Sequence, residues 1–161
     1  MARLLWLCCL AAVALTANAA DPTKLWVTCD NVLVSVVFDD SPGSRFEYQT
    51  VPSDCGGDMS KACEFPIPSW VTVVRVTCRN HAGPNYWGQF GMLAAMDNGV
   101  VSDRTWDCLD DPSTLPADSY WTHEIAEYGT TNNIDGIPDG AHWIWSQNAV
   151  SRALCMKRIR G

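Results

Sequence analysis

The sequence predicts an all-β fold, an antiparallel β-sandwich or jelly roll that is stapled by disulfide bonds. Short segments alternate apolar and polar residues with the period of two that is typical of strands. Turn-forming residues recur at intervals of about 8 to 12 residues, as they do in sandwiches and jelly rolls. A chain of 161 residues with 47% hydrophobic residues has the size and composition of one globular domain.

The first two predicted strands lie close together in the chain. Residues 32–38 place three valines and a phenylalanine on one face, and β-branched side chains favour extended backbone. Residues 25–29 are rich in Trp and Val and are interpreted in the same way. Asp30 and Asn31 are typical turn residues, so a tight turn is expected between the two strands.

The next region divides into loop and strand. Residues 39–68 are rich in Pro, Gly, Ser and Asp, and they are expected to be mostly loop with a short extended patch at 45–51. Residues 70–79 alternate apolar residues with Arg and Thr, which makes them the clearest half-buried strand in the sequence.

The strongest turn signal is Asp97-Asn98-Gly99, which separates the apolar segments 90–96 and 100–106. Because Asn-Gly permits the positive φ angles of a type I′ turn, a β-hairpin is predicted here. The remaining predicted elements are two strands and one short stretch with helical character, at residues 141–146, 153–159 and 121–128.

The first 20 residues have the features of a secretory signal peptide. One positive charge precedes an uncharged apolar run over residues 4–16, which is too short for a stable membrane span. Ala17 and Ala19 form a small-residue cleavage site. We therefore expect a secreted, extracellular protein in which residues 1–20 are removed and residues 21–161 form a single domain.

Six cysteines remain after removal of the leader, and an even set in an oxidising compartment predicts three disulfide bonds. The short loop between them favours pairing of Cys55 with Cys63, and the pairing of the other four cysteines is left open. Zinc binding is disfavoured because C-x-x-C pairs and zinc-type histidine spacings are missing from the sequence. The six predicted disulfide cysteines are Cys29, Cys55, Cys63, Cys78, Cys108 and Cys155.

Composition restricts the partners. The net charge of -7 and the pI near 4.7 disfavour nucleic acid, because binding to phosphates depends on Lys and Arg. No second apolar run has the length of a membrane span. A cationic or neutral ligand is therefore the default expectation.

Four segments in succession resemble extracellular galactose-binding-like jelly-roll domains: residues 73–80, 87–96, 101–108 and 140–146. They share a strand before a Gly-rich segment, an apolar strand that turns at Asn-Gly, a Trp-x-Cys element and a late Trp-Ile-Trp strand. The resemblance extends over residues 25–155. It implies a non-catalytic module that binds carbohydrate or another extracellular ligand through loops at one end, in some members with a structural calcium ion.

The Gly- and Pro-rich segment 81–88 joins two predicted strands, and loops of this kind often hold ligand contacts. Tyr86 and Trp87 are candidates for stacking on a sugar ring, with packing as the alternative. Hydrogen bonds to the ligand are expected from flanking polar residues, although these also suit turns: Arg79, Asn80, His81 and Asn85. Other tryptophans, Trp106, Trp143 and Trp145, are expected to pack in the core.

A calcium ion is a candidate cofactor because calcium prefers oxygen ligands on acidic loops. The densest acidic group is Asp103, Asp107, Asp110 and Asp111. Solvated or turn-forming carboxylates are the alternative, since no EF-hand loop is present in the sequence.

The leading functional hypothesis is a secreted, non-catalytic, lectin-like module that binds carbohydrate. An acidic structural protein of the extracellular matrix or of a mineral phase is the alternative. A small glycoside hydrolase is a third hypothesis, because adjacent carboxylates occur at Asp39-Asp40 and at Asp110-Asp111. Catalysis is not expected, since the sequence holds no G-x-S-x-G or H-E-x-x-H motif.

Overall fold

The computed structural model describes residues 20–40, 44–55, 60–80, 91–110, 125–130, 134–146 and 152–160. These residues contain ten β-strands and no helix. The strands are β1 (Lys24–Cys29), β2 (Val32–Asp39), β3 (Phe46–Gln49), β4 (Cys63–Pro66), β5 (Val73–Arg79), β6 (Met92–Met96), β7 (Asp107–Asp110), β8 (Ile125–Thr130), β9 (His142–Ser146) and β10 (Arg152–Arg158).

The described strands form two five-stranded sheets. The first has the order β4-β1-β6-β9-β8, and the second has the order β3-β2-β5-β10-β7. All pairings between these strands are antiparallel. The predicted antiparallel β-sandwich is therefore confirmed.

The core lies between the two sheets and follows from the alternation along each strand. Leu25 and Val27 of the first sheet and Val36, Phe38 and Val76 of the second are completely buried in one cluster. Full burial of each such side chain contributes about 1.5 to 3 kcal/mol.

The tryptophans divide between two environments. Trp106 and Trp145 are 0% and 1% exposed in the main core, which confirms their interpretation as core residues. The indole of Trp106 donates a hydrogen bond to the carbonyl of Val101 at 2.9 Å, so its polar group is satisfied. Trp143 is half-buried and packs against a second cluster instead.

The second cluster covers the outer face of the first sheet. Leu93 and Ala95 of β6 contact apolar residues of the loop that precedes β9, and Trp26 packs at the side. Gly136 has a φ of 83°, and a Cβ at this position would lie 2.5 Å from Cδ1 of Trp26. Glycine is therefore required where this loop crosses the indole.

The turn after β6 exists, but its predicted type was wrong. The amide of Gly99 donates to the carbonyl of Met96 at 3.0 Å, and the amide of Met96 donates to Val100 at 2.7 Å. Gly99 has a φ of 87°, whereas Asn98 is not among the described residues with positive φ. This pattern is a three-residue loop that ends in a glycine bulge, because a type I′ turn needs positive φ at both central residues.

The second strand of this hairpin was also predicted wrongly. Residues 100–106 form only a bridge between Val101 and Ala95, and the chain then turns around Asp103. The next strand, β7, belongs to the other sheet. The physical reason is Trp106, which enters the core between the sheets as the chain crosses over.

Two further strands differ from the sequence predictions. β3 lies within the predicted extended patch, but β4 falls in a region that was predicted as loop. Residues 125–130 form β8 rather than helix, because pairing with β9 satisfies their backbone groups. The earlier part of the predicted helical stretch, residues 121–124, lies outside the described residues.

Three disulfide bonds occur in the described part of the chain. Cys55–Cys63 is the predicted short-loop pair, and the pairing left open by the sequence is Cys29–Cys78 with Cys108–Cys155. Cys29–Cys78 joins the two sheets, since β1 and β5 belong to different ones. Disulfide bonds are compatible with an extracellular, oxidising location. Among the described residues, no helix has the length and apolar character needed to cross a membrane.

Candidate functional site

Several strands begin or end at the same end of the sandwich. The register places Arg79 of β5 opposite Val32 on one side and opposite Arg152 on the other. Cys29 at the end of β1 lies opposite Met92 at the start of β6. We call this region the loop end, and its described residues are Asp30, Asn31, Arg79, Asn80 and Gly91.

Two of the six predicted ligand residues are described, and both lie at the loop end. Arg79 is exposed as the last residue of β5, and Asn80 follows it with 5% exposure. The other four lie outside the described residues: His81, Asn85, Tyr86 and Trp87. An exposed guanidinium at the end of a buried strand offers hydrogen-bond donors on a rigid support.

The β1–β2 turn anchors both sides of the segment that connects β5 to β6. Cys29 forms a disulfide with Cys78 just before that segment, and the amide of Asp30 donates to the carbonyl of Gly91 just after it, at 2.8 Å. Gly91 packs so closely that an added Cβ would lie 2.6 Å from Trp143. The segment therefore starts and ends on fixed backbone.

The turn itself combines an unusual backbone with a buried carboxyl. Asn31 has a φ of 81°, in the left-handed region that Asn tolerates better than most residues. Its side-chain amide donates to Oδ1 of Asp30 at 2.6 Å. The sequence predicted a turn here but no functional role for it, because the residue that the turn contacts, Gly91, is distant in the chain.

Burial raises the pKa of Asp30 above its ordinary value, and the hydrogen bond from Asn31 lowers it by a smaller amount. The side chain belongs to a residue that is only 9% exposed. A carboxyl group whose charged form is destabilised by burial is typical of binding sites and also of structural networks. Asp30 gives the loop end a carboxyl group that already accepts a hydrogen bond from Asn31.

We expect Asp30→Asn to be more stable than the native protein at about pH 7 and equally stable at about pH 3. Since the folded-state pKa is raised, the native protein loses stability as the pH rises from the unfolded pKa to the folded pKa. Asparagine removes this loss and keeps an acceptor for Asn31. Urea unfolding at the two pH values measures the effect, and a deficit of the variant at neutral pH only would contradict it.

The described residues of the predicted calcium site lie in the turn before β7 and at the two ends of that strand. Asp103 lies in the turn before β7, and its Oδ1 accepts a hydrogen bond from the amide of Thr105 at 2.8 Å. Asp107 and Asp110 are the first and last residues of β7. Residues three apart in a strand have backbones about 10 Å apart. The side chain of Asp110 and the whole of Asp111 lie outside the described part.

The ammonium group of Lys157 lies close enough to Asp103 and Asp107 to interact with their charges. The ammonium of Lys157 donates to the carbonyl of Thr105 at 3.0 Å. Burial lowers the pKa of Lys157, while the charges of Asp103 and Asp107 oppose that decrease. In the described ranges, no three His, Cys, Asp or Glu side chains come together as metal ligands. Calcium binding by Asp103, Asp107, Asp110 and Asp111 together stays a prediction.

The edge strand β3 carries a second exposed surface, made of aromatic and charged side chains, which was not predicted from the sequence. Phe46 and Tyr48 are 57% and 60% exposed, and their ring centroids lie 6.1 Å apart at an interplanar angle of 85°. The guanidinium of Arg45 stacks 3.8 Å from the ring centroid of Trp70. We call Arg45, Phe46, Glu47 and Tyr48 the β3 edge. Its sequence signal was the alternation of aromatic and charged residues.

The loop before β9 lines an open depression of about 590 Å³. Asp135 and Asp139 are exposed there, whereas Ile134 and Ile137 are buried in the second cluster. The loop thus serves mainly to cover the first sheet.

No protein-family model, no curated protein and no solved structure matches this chain.

Proposed function

We propose that this protein is a secreted, non-catalytic recognition module of the galactose-binding-like type that binds an extracellular carbohydrate at the loop end. One observation carries the proposal. The β1–β2 turn holds the segment between β5 and β6 on both sides, through Cys29–Cys78 and through the bond from Asp30 to Gly91. Binding loops on rigid supports lose less conformational entropy when a ligand binds.

The chemistry around this support suits a polyhydroxylated ligand. Arg79 supplies several donors in a planar arrangement, and Asp30 and Asn80 supply acceptors and an amide. Tyr86 and Trp87, in the sequence of the supported segment, add aromatic faces against which the C–H groups of a sugar ring pack. Neutral sugars need such a mixture of directed polar groups and apolar surface.

Secretion is supported by two independent features. Residues 1–20 combine one positive charge, an apolar run and a small-residue cleavage site. The three disulfide bonds of the described residues suit the compartment to which such a leader directs a protein.

The proposal is tested on a glycan array with residues 21–161 produced by secretion. We expect a reproducible sugar signal that both Trp87→Ala and Arg79→Ala reduce at least tenfold, a loss of about 1.4 kcal/mol or more. Arg158→Ala is the matched control, because Arg158 is an exposed arginine at the other end of the same sheet. Parallel arrays with calcium and with a chelator test whether a calcium ion takes part.

Silence of the array in both conditions would contradict carbohydrate binding and favour the acidic matrix protein. An equal loss in Arg158→Ala would show that the arginine effect is general electrostatics. Release of free sugar from any array component would favour the hydrolase.

A further inference from the structure

The β3 edge combines features that are rarely exposed together. β3 is the outermost strand of the second sheet and pairs with β2 on one side. Its aromatic rings are more than half exposed, and the side chains of Arg45 and Glu47 are 56% and 51% exposed. An exposed apolar strand edge is a template for pairing with another strand.

The register shows which backbone groups of β3 face away from β2, the neighbouring strand among the described residues. The amide of Asp40 donates to the carbonyl of Arg45 at 3.0 Å, so Arg45 turns its backbone groups toward β2. Because these groups alternate along a strand, Glu47 also turns toward β2. Phe46 and Tyr48 therefore present their N–H and C=O groups at the open side.

We propose that this edge pairs with the same edge of a second copy of the chain. The two β3 strands run antiparallel about a twofold axis, with Phe46 opposite Phe46 of the second copy. Each Phe46 then exchanges both backbone hydrogen bonds with its counterpart, and Tyr48 pairs with Ser44 of the second copy in the same way. The result is one continuous sheet across the dimer.

Charge selects this register over its neighbours. With Phe46 on the axis, Arg45 lies opposite Glu47 of the second copy, and the pair occurs twice. A shift that places Glu47 on the axis sets two carboxylates opposite each other, which is destabilising. In a register with Tyr48 on the axis, Glu47 lies opposite Gln49 of the second copy, so its carboxylate has no cation opposite it. Strand edges that are protected against pairing carry charges that repel, whereas this edge complements itself.

The arginine is already placed for this contact. Stacking on Trp70 at 3.8 Å covers one face of the guanidinium and leaves its N–H groups directed outward in its plane. The contact of Arg45 with Glu47 within one chain is loose, at 4.0 Å. The same carboxylate can exchange that contact for the arginine of the second copy.

The twofold axis has a consequence that rests on the proposed function. Antiparallel pairing directs the loop ends of the two copies in opposite directions. The dimer would then bridge two glycan-bearing surfaces rather than bind one surface twice.

Sedimentation velocity of residues 21–161 over a concentration series tests the dimer without any ligand. We expect the mass to double as concentration rises. Glu47→Arg places like charges opposite each other and should abolish the doubling, whereas the exchange Arg45→Glu with Glu47→Arg restores opposite charges and should recover it. Since both side chains are exposed, unchanged thermal midpoints show that the variants fold.

A monomeric native protein at every concentration would overturn the proposal. So would a Glu47→Arg variant that still dimerises, because the interface would then lie elsewhere. Loss of array binding in Tyr48→Ala without any dependence of mass on Glu47 would assign this surface to a glycan instead. Failure of the array alone, with the mass result intact, would overturn only the proposed function.

Discussion

Replacement of Asp39 by alanine is expected to destabilise the protein by about 3 to 5 kcal/mol. Nε of Arg75 lies 2.9 Å from Oδ2 of Asp39, and Nη2 contacts the same oxygen. The two side chains are 4% and 6% exposed. Removal of the carboxylate takes away the charge that contacts two nitrogens of a buried guanidinium, and the weaker compensation for its desolvation is the main cost.

The exposed pair Lys61–Asp54 provides the matched control. Its charged atoms lie 2.6 Å apart, but the side chains are 53% and 68% exposed. Asp54→Ala should therefore change the free energy of unfolding far less than Asp39→Ala does, because water screens an exposed pair. Urea unfolding of both variants compares a buried with a solvated ion pair in one protein.

The double change Asp39→Leu with Arg75→Met separates the charge from the packing. Because it removes both charges and keeps apolar volume, it should recover most of the stability that Asp39→Ala loses. If Asp39→Ala unfolds within about 1 kcal/mol of the native protein, the pair contributes no more than a surface contact.

The strands that the sequence predicted well are those with local alternation over a whole element. β2 and β5 were both predicted as strands and are strands. The prediction that β5 is half-buried was wrong, because Arg75 and Thr77 on its other face are buried as well, and Arg75 forms an ion pair with Asp39. In β2, a register shift after Leu33 brings this leucine into the core cluster in place of the flanking valines. β4 has four residues, and its pattern is too short to recognise among turn residues. β8 is a strand because β9 offers it partners, which is tertiary context that overrides local propensity.

At the loop end, too, local sequence patterns identified only some of the residues. Arg79 and Asn80 were predicted because they flank a recognisable loop. Asp30 belongs to the loop end because its amide bonds to Gly91, and the neighbouring Cys29 because it forms a disulfide with Cys78; both partners are distant in sequence. For the predicted calcium residues, closeness in sequence does not always mean closeness in space. Asp107 and Asp110 are close in sequence, but the extended strand between them carries them apart.

Loss of the Cys29–Cys78 disulfide is expected to have an effect of similar size. Its cysteines are separated by 49 residues, and loop-closure entropy gives about 4 kcal/mol for such a ring. Cys55–Cys63 has a separation of 8 and should contribute about 2.5 kcal/mol. The paired alanine variants, compared by urea unfolding, should therefore rank in this order.

The third disulfide allows an effect on stability to be separated from an effect on the proposed binding site. Cys108–Cys155 has a separation of 47, so its removal should cost nearly as much stability as removal of Cys29–Cys78. It joins β7 to β10 within the second sheet, whereas Cys29–Cys78 holds the turn beneath Arg79. At a temperature where both variants are folded, we expect glycan affinity to fall only when Cys29 and Cys78 are replaced. Equal losses in the two variants would mean that the disulfide at the loop end stabilises the fold without organising the site.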